Sequence, residues 1–291
     1  MLKPKNYFLT IDVGTVNLAY CLAAQDPSET NIIKSINIVD WGVLDVSYKP
    51  LYCKQIKNKR AICNCVSKFY QLKEGQIDHS DPENLIGLCK THVKPLQDHN
   101  KKNKKDRIKF YKISENPIYT NNFNIQMERL LGSLEIFYKK VILSPYNIDS
   151  EGKPEYPNNL RIYIENQPVF KNPVMKTISI GIFTFFTLKK LLEKKIISGV
   201  NFINATVKTK DDFITKLFEL IEVKSYINKF KEYDKRKQFT IDITNQIIPK
   251  LSNTTNNIVS TNKYFLNKKK DDMADTLVYQ IYIIIYLLKI N

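Results

Sequence analysis

Four carboxylates stand where a fold could gather them around metal ions. Asp12 closes the apolar run Tyr7–Val13, Glu165 closes Leu160–Glu165, and Asp272 and Asp275 lie three residues apart near the C-terminus. That spacing puts the last two on one face of a helix. A cluster of carboxylates repels itself and drives its own pKa values up. Two divalent ions about 3.5–4 Å apart relieve the repulsion, activate a water and stabilise the oxygen that departs when a phosphodiester is hydrolysed. An all-oxygen donor set with open positions suits Mg²⁺ or Mn²⁺, two ions per site. Singly, each residue has an ordinary explanation: a strand-end aspartate before a turn glycine is common, and Asp272 could simply cap its helix. Their order along the chain, on those elements, favours the catalytic reading.

A second constellation is sulfur-rich. Four of the five cysteines, Cys53, Cys63, Cys65 and Cys89, accompany His92 in the first third of the chain. Cys89-x-x-His92 lets two ligands reach one ion, and the pattern fits one structural Zn²⁺ in a tetrahedral Cys₃His site. Spacing does not decide between Cys63 and Cys65. Cys63 is preferred, giving Cys53, Cys63, Cys89 and His92 as the ligands. An odd cysteine count with a histidine favours metal in a reducing, intracellular compartment over disulfides. Cys21 falls in a strand and reads as core.

The elements that must position these groups follow from periodicity. Tyr7–Val13, Asn17–Ala24 and Ile32–Val46 read as three consecutive strands, an antiparallel meander. Residues 49–114 lose that pattern and read as a cysteine-rich, zinc-stapled insertion with a basic tail at His99–Lys109. It divides a core made of residues 1–48 and 115–291. The core resumes with a helix at Asn124–Leu143, a loop at Pro145–Asn159 and a strand at Leu160–Glu165. A helix from Pro173 to Lys195 and a strand at Gly199–Ala205 follow. Two helices are expected within Asp211–Lys224 and Lys235–Leu251, then a Ser/Thr/Asn-rich linker at Ser252–Asn262. A final helix at Lys270–Lys289 carries Leu277, Val278, Ile281, Ile284 and Ile285 on the face that would pack on the sheet. The expectation is an α/β protein: a mixed sheet of three antiparallel strands and then parallel ones, flanked by helices, in the order of the ribonuclease H-like fold.

Composition bounds the partner. Lys and Arg number 45 against 29 Asp and Glu, a formal net charge of +16. Part of that reflects a chain crowded with Lys, Asn and Ile, but such an excess is usually kept for a polyanion, nucleic acid first. Met1–Asn6 is short and polar, so no secretory signal is expected. Leu277–Leu288 is about half the length a bilayer span needs and contains Gln280, so no membrane association is expected.

Three blocks resemble a known family. Ile11–Tyr20 (Ile-Asp-Val-Gly-Thr-Val-Asn-Leu-Ala-Tyr) is similar to the opening of RuvC-type Holliday junction resolvases, including those of poxviruses and other large DNA viruses. Ile164-Glu165-Asn166-Gln167-Pro168, with Met175-Lys176 and Ile180–Phe186, resembles their second catalytic block. Lys269-Lys270-Asp271-Asp272-Met273-Ala274-Asp275 resembles the third, where an Asp-x-x-Asp pair lies on the last helix. The first block is unspecific; the other two are specific. The resemblance implies a Mg-dependent endonuclease of DNA recombination and repair, resolving four-way junctions as a homodimer, with Asp12, Glu165, Asp272 and Asp275 as metal-binding catalytic residues. Asp271 is an alternate for Asp272. The family's phosphate-holding lysines match Lys208 and Lys237 in position, and a viral member would act in host cytoplasm where viral DNA replicates. The insertion and extra helical length after residue 207 depart from the bacterial pattern.

Rival readings are a ribonuclease H cutting RNA–DNA hybrids, a non-catalytic zinc-containing DNA-binding protein, and an ATPase or kinase of the actin, Hsp70 and sugar-kinase class. The last shares Asp-x-Gly-Thr (Asp12–Thr15) but needs a second phosphate loop and a Gly-rich adenosine site. No glycine follows Gly199, so no nucleotide cofactor is expected.

Overall fold

β1 (Asn6–Val13) runs through the middle of a five-stranded sheet, as its near-continuous burial requires. The computed structural model describes residues 5–14, 17–46, 53, 55–57, 61–63, 65, 67–74, 76, 85–103, 107–112, 123–143, 147–148, 154–155, 159–167, 173–193, 196–222, 233–252 and 254–287. With β2 (Asn17–Gln25), β3 (Ile36–Asp45), β4 (Leu160–Asn166) and β5 (Ile197–Asn204), the strand order is β5-β4-β1-β2-β3. β1–β2 and β2–β3 pair antiparallel, whereas β1–β4 and β4–β5 pair parallel. This is the expected mixed sheet. The other Asp-x-Gly step of the chain, Asp40-Trp41-Gly42, lies inside β3 and makes no phosphate loop.

One face of the sheet carries the final helix, Lys270–Tyr282. Met273, Ala274, Leu277, Val278 and Ile281 are buried against Ala19, Cys21, Ile38 and Trp41. Each large aliphatic side chain so buried contributes about 1.5–3 kcal/mol. Polar contacts fix the helix's register over the strands. Thr10 donates to the Thr276 carbonyl at 2.9 Å. Gln280 donates to the Phe8 and Cys21 carbonyls at 2.9 and 2.7 Å. The Trp41 indole donates to the Met273 carbonyl at 3.1 Å and stacks on Tyr264 with centroids 4.7 Å apart. On the opposite face Pro173–Leu192 packs on β1, β4 and β5, burying Ile178, Ile182 and Phe186.

Several expectations are corrected. Ile32–Ser35 is a helical turn and not the start of β3, because Asn31 caps it by accepting from the Lys34 N–H at 3.0 Å. The expected Pro145–Asn159 loop contains a short antiparallel pairing of Asn147–Ile148 with Pro154–Glu155. The expected linker at Ser252–Asn262 is mostly helix, Thr255–Leu266, capped by the Thr254 hydroxyl. Its buried residues include Asn257 and Ser260, so it shows no apolar stripe. The final helix ends at Tyr282 and runs into a π-helical turn, Ile283–Leu287; residues 288–291 lie outside the described set.

The chain divides into two compact units, residues 1–46 with 130–291, and residues 47–129. The second holds a three-stranded antiparallel sheet (Phe69–Leu72 between Leu85–Leu88 and Tyr111–Lys112), a hairpin of Ile56–Lys57 with Ala61–Ile62, and the helix Lys90–Lys102. Among the described residues no helix is long and apolar enough to cross a membrane.

Candidate active site

The carboxylates meet because β1 and β4 are parallel and in register. Ile11 pairs with Ile164, so Asp12 and Glu165 stand side by side one residue further, where both strands end. The final helix crosses above with Asp272 and Asp275. All four line one cleft of about 370 Å³, together with Lys208 and Lys237. Lys208 lies on the 3₁₀ turn Ala205–Thr209 that follows β5, and Lys237 on the helix Tyr233–Ile247. β1 leaves the cleft through a turn in which the Gly14 N–H donates to the Asn17 carbonyl at 3.1 Å. A Cβ at Gly14 would lie 2.5 Å from that oxygen, so only glycine fits there.

Within the cleft every carboxylate is answered by a polar partner. Asp12 is pushed well above its ordinary pKa by burial, then by the charge of Glu165 and a hydrogen bond with it. Burial would raise Glu165 too, but its bond with Asp12, the Lys208 charge and the Tyr279 hydroxyl outweigh it and hold Glu165 below its ordinary value. Tyr279 donates to Glu165 Oε1 at 2.9 Å and Gln167 donates to Oε2 at 2.7 Å. Asp275 is raised by burial, against the opposing charge of Lys208, with which it forms an ion pair. Burial would lower Lys208, yet Asp275, Asp12 and Glu165 keep it raised and protonated. Tyr279 is held well above its ordinary value by burial and then by Glu165, Asp12 and Asp275, so it remains a donor.

Asp271 and Asp272 are separated by this geometry. Asp271 pairs with Lys237, which outweighs the effect of burial and lowers its pKa. Asp272 faces the cleft, raised by burial and by Asp271, with Lys237 and Lys269 at 4.0 and 3.9 Å. The carboxylate that keeps the three-residue step to Asp275 is therefore the one in the cleft.

The donor set fits hard divalent cations. It offers oxygen only, and burial, reinforced by the neighbouring carboxylates, makes Asp12 and Asp275 ionise reluctantly, which a divalent ion would relieve. Residues that sequence reading missed are Tyr279, Gln167 and Thr240, the last hydrogen-bonded to Asp275 in the cleft. Tyr279 stands four residues after Asp275, on the same helix face, a signal hidden by its setting in an apolar run. Gln167 stands inside the second motif block.

The sulfur constellation also assembles. The ligand atoms of Cys53, Cys63, Cys89 and His92 all lie within 4.8 Å of one another. His92 Nδ1 is 3.3 Å from both Cys53 and Cys89 Sγ, and Cys63 and Cys89 sulfurs are 3.8 Å apart. A tetrahedral zinc shell has edges of about 3.8 Å between sulfurs and about 3.5 Å between sulfur and nitrogen, so the set fits that ion. Cys65 is exposed and outside the set. Burial would raise Cys89, but N–H groups at the start of Lys90–Lys102 and the His92 ring bring it down to about 6, which favours the thiolate a metal needs.

No family model matches the chain. It is similar to an uncharacterized protein, L451, of Acanthamoeba polyphaga mimivirus, with 24% identity over 319 residues, covering 91% of this chain and 71% of that one. Among solved structures it is similar to the crystal structure of the yeast mitochondrial Holliday junction resolvase Ydc2, with a TM-score of 0.42 and 12% identity, covering 100% of this chain and 82% of that one. A score of that size does not by itself establish a common fold.

Proposed function

We propose that this chain is a structure-selective endodeoxyribonuclease of the ribonuclease H-like superfamily that resolves four-way (Holliday) DNA junctions. The observation that carries the reading is the convergence of Asp12, Glu165, Asp272 and Asp275, from two parallel strands and a helix, on one cleft with two lysines. Bound there, two Mg²⁺ or Mn²⁺ ions would supply an activated water and stabilise the departing oxygen. The protein's own part is to hold Glu165 by both oxygens against Asp12, and to set Asp272 and Asp275 across from them. Lys208 and Lys237 bring positive charge to where a substrate phosphate would need it.

The choice of a DNA junction over an RNA–DNA hybrid rests on the likeness of the second and third motif blocks to the resolvases of large DNA viruses. A net charge of +16 supports a polyanionic partner. Resolution needs paired cuts on opposing strands, and one chain offers one such cluster, so the working unit is a two-fold homodimer. One Zn²⁺ on Cys53, Cys63, Cys89 and His92 would staple the second unit, as small cores require. Thiol ligands of this kind belong to a reducing intracellular compartment, the host cytoplasm for a viral protein.

The test is incision of a synthetic four-way junction beside an RNA–DNA hybrid of equal length with Mg²⁺. The reading expects cuts in the junction alone. Cutting of the hybrid alone would make the protein a ribonuclease H, and binding without cutting of either would make it a zinc-containing DNA-binding protein.

A further inference from the structure

The carboxylates are supported by a group that the proposed chemistry does not itself consume. Tyr279 is fully buried among Phe8, Tyr163, Ile203, Val207 and Ile283. It lies on the helix face that presents Asp272 and Asp275. Its hydroxyl donates to Glu165 Oε1 at 2.9 Å, while the Lys208 ammonium sits 4.6 Å from its ring centroid. The same phenol therefore touches two of the groups that define the cleft, one through its oxygen and one through its face.

Glu165 has four lone-pair sites on its two oxygens. Tyr279 occupies one on Oε1, and Gln167 occupies one on Oε2 at 2.7 Å. Gln167 is itself anchored, since its amide also donates to the Val13 carbonyl at 3.2 Å, next to Asp12. Two side-chain donors on opposite oxygens, with the Val13 N–H beside them, fix the carboxylate's plane, and an ion between Glu165 and Asp12 would take the place of the Asp12 hydrogen bond. A carboxylate without these donors would rotate about its last bond, and an ion would have to freeze it.

We propose that Tyr279 is a positioning residue which, with Gln167, fixes the Glu165 carboxylate in the orientation that captures the divalent ion. The inference rests on the reading of Asp12 and Glu165 as metal ligands. The phenol touches neither substrate nor reacting atoms. Its effect is on metal affinity, acting through Glu165, and not on the cleavage step once metal is saturating. Partners that orient metal ligands are typically worth 10–100-fold in metal affinity.

The experiment is a Mn²⁺ titration of the DNA-free protein followed by electron paramagnetic resonance, for wild type and Tyr279→Phe, with thermal unfolding alongside. Tyr279→Phe keeps the ring, its packing and the Lys208 contact. The expected result is Mn²⁺ affinity weakened roughly tenfold or more in a protein that still unfolds cooperatively. Junction cleavage by the variant should regain the wild-type rate at high Mn²⁺. Should Tyr279→Phe fail to fold, Gln167→Met removes the other donor and carries the same expectation. Wild-type affinity in the folded variant overturns the positioning role while leaving the metal site standing. A rate that stays depressed at saturating Mn²⁺ also overturns it. A wild-type protein that binds no Mn²⁺ overturns the metal-site reading itself.

Discussion

Replacing Cys63 with Ser and, separately, Cys65 with Ser separates two residues that spacing leaves equivalent. Cys63 Sγ lies 3.8 Å from Cys89 Sγ, the edge of a tetrahedral sulfur shell, whereas Cys65 is exposed and outside the cluster. Structural zinc binding is worth about 10–16 kcal/mol over four ligands, hence about 2.5–4 kcal/mol for each. Loss of one ligand should then weaken zinc binding by roughly 10²–10³-fold. The second unit, residues 47–129, would lose its staple with it. The assay is zinc content of freshly purified, reduced protein by elemental analysis, followed by competition against a chromogenic chelator. Wild type and Cys65→Ser should each carry one equivalent and release it alike. Cys63→Ser should release zinc at chelator concentrations that leave wild type intact, and hydrogen exchange should accelerate within residues 47–129. The reasoning fails if Cys63→Ser holds zinc as tightly as wild type, or if Cys65→Ser is the variant that loses it.

Asp272→Asn should abolish junction cleavage and leave junction binding within a few-fold of wild type, whereas Asp271→Asn should retain cleavage; gel-shift and incision assays on one substrate read both. Asp12 is raised above its ordinary pKa in the folded protein. Its stabilising protonation is therefore complete at low pH and lost as pH rises through the raised value. A divalent ion replaces that proton, so Mn²⁺ should raise the melting temperature more at about pH 7.5 than at about pH 5; an equal gain at both would contradict the raised pKa of Asp12. Asn257→Ala should destabilise the first unit by about 2–3 kcal/mol, because the Ile38 N–H loses its buried acceptor. In the native protein that bond is 2.6 Å long. Urea unfolding followed by the fluorescence of Trp41, the single tryptophan, measures it, with exposed Ile258→Ala as the near-neutral control.

The residues show why the sheet and its carboxylates were legible and other parts were not. β1 and β4 are apolar runs ending in a carboxylate, and the final helix alternates an acidic pair with an apolar face, so strand, helix and site were written in one pattern. The helix Thr255–Leu266 was hidden because it inverts that pattern. Asn257 and Ser260 are buried, with the Asn257 side chain completing the hydrogen bonding of β3, the edge strand, while Ile258, Val259, Phe265 and Leu266 face outward. Periodicity records hydrophobicity and cannot register a helix held by amide hydrogen bonds. Tyr279 vanished into an apolar stretch for the complementary reason: its ring packs as core, and only its hydroxyl carries the contact to Glu165. The choice between Cys63 and Cys65 waits on the fold, which sets the Cys63 sulfur 3.8 Å from that of Cys89 and leaves Cys65 exposed.

The central claim is a metal-dependent cluster that cuts junctions in pairs, and a supercoiled plasmid extruding a cruciform tests it most directly. With Mg²⁺, the wild-type protein should convert the plasmid straight to linear product, because two clusters in one dimer cut opposing strands within one binding event. Asp272→Asn should bind the cruciform and leave it supercoiled. Accumulation of nicked circles by wild type at saturating protein, or linear product formed equally well by Asp272→Asn, would contradict the account.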